Sequence, residues 1–407
     1  MLRVGVYLHF PYCLQICPYC DFAVRKERVI PQRRFTDAII AELRRRAPAF
    51  AEGREVVSIY LGGGTPSLWE PDELARAVNE VRSLFRLAEQ VEITLEANPE
   101  VADLARLTAY RAAGVNRVSL GVQSFDSNQL KALGRLHTAE LAEQSVAAAR
   151  AAGCLSISVD LIHGGEGQTP EAAGADAAKA ASLGVDHVSC YALTLTALAY
   201  EVPMARAVRR GQLKLPGDDA QEAMGESIRA ALGAAGLQRY EISNFAKPGF
   251  ESVHNGLYWS GVEYVAAGPG AAGFHLDRSQ GGLRGTRYTN DRSVPKWMDG
   301  VLGREQGPER AAGKSLPLAA PPGLVEAQRE ELPLDDLIRE RLFTGLRRVA
   351  GVDLAEVEEW SGRPVRAPFA EVIDRLVREG LAAVEGARLR LTERGLDLHS
   401  EAALRFF

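Results

Sequence analysis

Across its first half the chain alternates short β-branched runs with longer alanine-rich stretches of helical period. The apolar runs at 4–10, 56–61, 91–96, 117–123, 155–162 and 187–193 read as strands. Between them, 35–47, 71–85, 101–113, 138–152 and 171–183 read as helices, several closed by a glycine such as Gly114, Gly153 or Gly184. Strand-helix units in unbroken succession predict an α/β fold with a parallel sheet and helices outside it, a partial six-fold βα barrel of TIM-like type. Functional side chains of such a barrel gather at the carboxyl ends of its strands. The residues just after each apolar run are therefore the ones to read.

Beyond residue 275 the pattern weakens. Segments 278–282 and 303–322 are rich in Gly, Pro, Arg and Ala, and 276–330 reads as loop or linker. Periodicity returns in 331–407, with helices at 337–343 and 369–380 and an alternating hairpin at 381–392. That order predicts a small α+β, winged-helix-like domain after a barrel and its extension at 1–275. The tail is acidic and has no concentrated basic face, so a DNA-reading role is not expected of it; closing the site or meeting a partner is.

The formal charge of -5 over 407 residues gives no global basic field, and no nucleic-acid partner is expected. No apolar run is long enough to span a bilayer and no signal-peptide pattern opens the chain. The cytoplasm is the expected location, with membrane contact at most transient and through a partner. A homodimer is compatible with the composition.

The densest chemistry lies just after the first strand, where Cys13, Cys17 and Cys20 form a CxxxCxxC triplet. Structural zinc takes four ligands, and iron-sulfur clusters are usually held by four thiolates. Three thiols with Asp21 and Phe22 following would leave one iron of a 4Fe-4S cluster open to an exchangeable ligand. Structural zinc remains the alternative. Cys154 and Cys190 sit alone in apolar runs and read as core residues.

After the second strand comes Gly62-Gly63-Gly64-Thr65-Pro66, which lets backbone approach a ligand closely. It lacks the Gly-Lys-Ser/Thr ending of a phosphate loop. Glu96 places a carboxylate after the third strand, while Gln123 and Asp160 end the fourth and fifth. Polar groups buried at strand ends need partners. Either a ligand supplies them, or Asp160 pairs with Arg135.

The triplet and its strand resemble the radical S-adenosylmethionine (SAM) superfamily, in which SAM chelates the open iron. Tyr7-Leu8-His9-Phe10-Pro11-Tyr12-Cys13, the glycine segment, Gly121-Val122-Gln123-Ser124-Phe125 and Asp160-Leu161-Ile162 narrow the likeness. They resemble the branch holding oxygen-independent coproporphyrinogen III dehydrogenase and the HemW heme chaperones. The resemblance implies cluster ligation by Cys13, Cys17 and Cys20. It also implies SAM contacts from Tyr7, Tyr19, Gly63, Gly64, Thr65, Glu96, Gln123, Arg135, Asp160 and Thr194. One departure is His163-Gly164-Gly165-Glu166-Gly167, where the branch usually has Tyr-Gly-Leu-Pro-Gly.

Within the branch, Phe22 stands where the dehydrogenase carries an extra cysteine, and His254-Asn255-Gly256-Leu257-Tyr258-Trp259 matches the HNxxYW motif of HemW-like proteins. The resemblance implies a heme chaperone that binds a SAM-ligated cluster and heme and passes heme to an apo-cytochrome or other heme-accepting protein. The alternative is a dehydrogenase-like or other radical SAM enzyme acting on a porphyrin. Imidazole is a good iron ligand and Tyr and Trp offer flat amphipathic faces, so His254, Tyr258, Trp259 and His9 are the heme candidates. The competing reading has His254 bonded internally and the aromatics filling space beside the barrel.

Overall fold

The computed structural model describes residues 1–50, 52–195, 201–278, 282–303 and 323–407. Its centre is six strands, β1 (Leu2–Phe10), β2 (Arg54–Gly63), β3 (Leu87–Ala97), β4 (Arg117–Gln123), β5 (Ser156–His163) and β6 (His187–Ala192), paired in sequence order and all parallel. Helices α1 (Gln32–Phe50), α2 (Pro71–Leu84), α3 (Leu104–Ala113), α4 (Ser127–Ala132), α5 (Ala139–Ala151) and α6 (Pro170–Ser182) connect them.

The two faces of this sheet differ. Val6, Leu8, Ile59, Leu61, Ile93, Leu95, Val118, Leu120, Ile157, Val159 and Val188 form one core with Phe35, Ile39, Val78, Leu107, Val146 and Ala177 of the helices. The alternate positions are polar: Tyr7, His9, Ser58, Tyr60, Glu92, Thr94, Glu96, Arg117, Ser119, Ser158, Asp160, His187 and Ser189. A parallel sheet covered on both sides usually reads as a continuous hydrophobic run. Here the interior of the barrel is built to be polar, and a ligand chamber follows from that.

After β6 come α7 (Pro203–Arg209), α8 (Asp218–Ala234), β7 (Asn244–Ala246), α9 (Val253–Trp259) and β8 (Tyr264–Ala267). β8 returns parallel beside β1, while β7 lies antiparallel beside β6. Helix α9 packs against β1 and β2 from below: the amides of Val253 and His254 donate to the Glu92 carboxylate at 3.0 Å each, which caps the helix at its positive end.

The 276–330 stretch, expected as loop or linker, is in its described parts largely regular. β9 (Ala272–Asp277), β10 (Arg284–Asn290) and β11 (Glu326–Leu332) extend the sheet antiparallel from β8, and α10 (Val294–Val301) lies between the last two. Most of 303–322 lies outside the described residues. The extension is fixed by one buried carboxylate. Glu42 of α1 accepts from Arg46 Nε at 2.7 Å, Asn290 Nδ2 at 2.9 Å, Trp297 Nε1 at 2.9 Å and the Gly268 amide at 3.0 Å. Arg46 also bonds Glu326 and lies 3.6 Å over the Tyr288 ring. A buried charge is tolerable only when its partners are this complete. A polar code scattered over four elements carries no hydrophobic period, which is why the segment looked unstructured in sequence.

The tail forms α11 (Leu334–Gly345), α12 (Leu354–Ser361) and α13 (Ala370–Arg378) around a three-stranded antiparallel sheet of β12 (Val352–Asp353), β13 (Ala382–Glu385) and β14 (Arg388–Leu391), with β14 central. It has its own core, including Leu342, Leu346, Leu376, Leu389 and Phe406. It is tied to the barrel by Arg347 on Glu241 at 3.1 Å and by Arg229 and Arg239 on Asp397.

Candidate functional site

The carboxyl ends of the strands and the polar interior below them enclose a cavity of about 350 Å³. Cys13, Cys17 and Cys20 line it together with Tyr19, Gly63, Gly64, Thr65, Glu96, Gln123, Arg135, Asp160 and Thr194. Of the residues singled out for cluster and SAM, Tyr7 alone is outside this lining. It lies half-buried beneath, its hydroxyl 2.9 Å from His9 Nδ1.

The cysteine loop is held by backbone rather than by its own length. Gly64 N donates to Phe10 O at 2.7 Å and Thr65 N to Tyr12 O at 2.9 Å, stitching the glycine segment to it. A Cβ on Gly64 would stand 2.9 Å from Cys13 Sγ, and one on Gly63 2.7 Å from the His9 ring. These glycines are required by the loop as well as by any ligand. Behind the loop, Gly268 presses on His9 and Gly270 on Ala23, so the Gly268-to-Gly273 segment braces the thiols.

Cys13 is buried, and Cys17 and Cys20 are half-buried. Desolvation pushes Cys13 up to about 12 and raises Cys20, so a nearby cation is needed to keep them as thiolates. Arg135 supplies part of that charge, with Nη1 3.5 Å from Cys17 Sγ. Its Nη2 donates to Asn98 Oδ1 and Gly121 O at 2.7 Å each, and its buried Nε has no partner among the described residues. Asp160 instead accepts from Ser119 Oγ at 3.0 Å, so the Arg135–Asp160 pair is not formed. No three His, Cys, Asp or Glu side chains among the described residues stand close enough to share a single metal ion.

Glu96 accepts from Tyr60 Oη at 2.8 Å and from Gly63 N at 2.9 Å, yet burial still lifts it to about 7. Desolvation raises Asp160 as well. Two buried carboxylates above their usual range await hydrogen-bond donors or a cation. Gln123 is the one non-glycine residue with positive φ among those described, at 69°. The β4–β5 register slips between Gly121 and Gln123, and this bulge aims Gln123 into the cavity. Three thiols with an open side, two acceptor carboxylates and a strained amide suit a thiolate-held iron-sulfur body beside a ligand carrying an ammonium group and a diol.

Sequence reasoning missed Tyr60, Arg117, Ser119, Ser189 and Asn255 as lining residues. For the four strand residues the signal was the polar member of each apolar-polar alternation, and for Asn255 its place in the HNxxYW motif. The Asn98 side chain, which joins Arg135 to Thr65, was noted only as part of a motif.

The four heme candidates do not meet in one place, and none of them lines the chamber. His9 Nε2 donates to Ala23 O at 3.0 Å, leaving Nδ1 to accept from Tyr7. His254 is fully buried, with Nδ1 2.8 Å from Ser58 Oγ and Nε2 2.9 Å from Tyr258 Oη. Burial lowers it to about 3, so it is neutral. Tyr258 opens instead on a separate cleft toward the C-terminal domain, and Trp259 lies 4.4 Å under the Arg347 guanidinium.

Residues 7–180 match the model of the radical SAM superfamily and 332–398 that of the HemN C-terminal domain. The chain is 34% identical over 402 residues to heme chaperone HemW of Lactococcus lactis, covering 99% of this chain and 97% of the relative. HemW of Mycobacterium tuberculosis is 36% identical, with 96% and 91% covered. The solved coproporphyrinogen III oxidase of Escherichia coli, a radical SAM enzyme, superposes with a TM-score of 0.78 at 23% identity, over 100% of this chain and 90% of that one.

Proposed function

We propose that this chain, which belongs to the radical SAM superfamily and within it to the HemW family, is a heme chaperone. It carries a 4Fe-4S cluster with SAM as the exchangeable ligand of its fourth iron, and it hands heme to an apo-cytochrome or other heme-accepting protein. Likeness over nearly the full length of HemW proteins carries this reading.

Bound in the chamber, the cluster would supply an iron with a free coordination position and a one-electron couple. Cys13, Cys17 and Cys20 hold it, and Arg135 offsets the charge of the thiolates. Glu96 would accept from the SAM ammonium and Asp160 from its ribose, and Gln123 would fix the ligand's position across the strand ends. Tyr19 and the Gly63–Thr65 backbone wall the ligand from water. No helix among the described residues is long and apolar enough to cross a membrane. A thiolate-held cluster is suited to a reducing compartment, and we place the protein in the cytoplasm.

The second reading is a porphyrin-directed radical enzyme. Phe22, exposed at the mouth of the chamber in place of the dehydrogenase's extra cysteine, disfavours it. The test is an anaerobic heme titration of the cluster-loaded protein followed by visible absorbance, with a parallel sample given dithionite, SAM and coproporphyrinogen. Stoichiometric heme binding with negligible 5'-deoxyadenosine supports the chaperone. Catalytic 5'-deoxyadenosine release coupled to loss of the porphyrin substrate, without stable heme binding, overturns it.

A further inference from the structure

Helix α9 is a wall with a cavity on each side. Asn255 faces the chamber, whereas Tyr258, one turn on, faces a cleft of about 180 Å³ between the sheet extension and the C-terminal domain. The cleft is lined by four aromatic rings, Tyr258, Tyr264, Phe274 and Trp360, the last contributed by α12. Tyr258 and Tyr264 meet edge to face at 4.6 Å between centroids, giving a rigid apolar slot.

Its mouth is cationic. Arg341 of α11 lies 4.6 Å over the Trp360 ring, and among the described residues no carboxylate stands within ion-pair distance of it. Burial lowers its affinity for the proton; Glu356 opposes this and the nearby Arg278 and Arg348 add to it. Arg348 stands outside the cleft's lining, its guanidinium bonded to the Ser260 hydroxyl at 3.3 Å. The other two charged side chains lining the cleft, Arg287 and Glu340, pair with each other. An aromatic slot with the Arg341 guanidinium at its rim suits a flat apolar ring that carries a carboxylate.

We propose that this cleft docks one edge of a heme, with the ring edge among the aromatic side chains and a propionate on Arg341. The volume takes an edge of the macrocycle and leaves the rest in solvent, as a carrier that must release its cargo requires. This rests on the heme-chaperone reading.

The test titrates full-length wild type, Arg341→Gln and Arg341→Lys with hemin and with hemin dimethyl ester, followed by Soret absorbance. Wild type should prefer hemin to the ester, Arg341→Gln should bind hemin tenfold or more weakly and lose that preference, and Arg341→Lys should recover much of it. If Arg341→Gln binds hemin like wild type with an unchanged hemin-to-ester ratio, the cleft is not the site while the chaperone reading stands. If wild type does not bind hemin at all, both fall.

Discussion

His254 offers the sharpest division between a ligand and a structural member. Replacing it by alanine removes the shared partner of the fully buried Ser58 Oγ and of the half-buried Tyr258 Oη. Each orphaned buried group costs about 1–3 kcal/mol, and the void left by the ring adds about 1 kcal/mol. His254→Ala should therefore lose about 4 kcal/mol in anaerobic denaturant unfolding, with heme affinity changed by less than threefold while the protein stays folded. A loss under 1 kcal/mol together with a tenfold fall in heme affinity would mean that the imidazole binds iron, and the reasoning from its hydrogen bonds would be refuted.

The same variant has a pH signature. The folded imidazole, held at about 3 by burial, stays neutral at pH 5, while in the unfolded chain it protonates near 6.5. The unfolded state binds more protons, so this histidine's contribution falls as pH drops from 6.5 toward 3. At pH 5 the wild type gives up about 2 kcal/mol through this group, from about 1.4 kcal/mol per unit of pH over roughly 1.5 units. The gap between wild type and His254→Ala should shrink from about 4 kcal/mol at pH 8 to about 2 kcal/mol at pH 5.

Gln123→Gly should relieve the left-handed backbone and stabilise the ligand-free chain by up to about 1 kcal/mol in denaturant unfolding, while SAM affinity by calorimetry drops tenfold or more; an unchanged affinity would remove Gln123 from the site. Gly268→Ala would set a Cβ 2.4 Å from His9 O at a φ of 115°. It should cost about 2–4 kcal/mol and lower iron per chain after reconstitution, whereas full iron loading would show that the brace is dispensable. Cys17→Ala should abolish the brown chromophore and the reduced-cluster EPR signal; Cys154→Ala, in the buried core, should keep both. A cluster signal surviving in Cys17→Ala would break the three-thiol assignment.

What the sequence disclosed and what it hid follow from how far each interaction reaches along the chain. The six strands lay within two residues of their expected bounds at nearly every end, because each is a local apolar run. The cysteine loop and glycine segment were legible because their chemistry is packed into a few positions. The sheet extension was not, because Glu42, Arg46, Asn290, Trp297 and Glu326 satisfy one another across separations of up to 280 residues. The polar interior was visible in principle. Ser58 and Tyr60, Glu92 and Thr94, Arg117 and Ser119, and Ser158 and Asp160 recur at every second place in strands that helices cover from outside, and a covered strand has no solvent for its polar side to meet. The HNxxYW motif is the converse case. Its residue types suggested a metal site, but helical spacing divides them: Asn255 turns to the chamber, Tyr258 to the cleft, and His254 is held between. The motif thus forms a partition whose two faces serve different cavities, and its chemistry is that of the hydrogen bond from Ser58 through His254 to Tyr258 that keeps the partition in place.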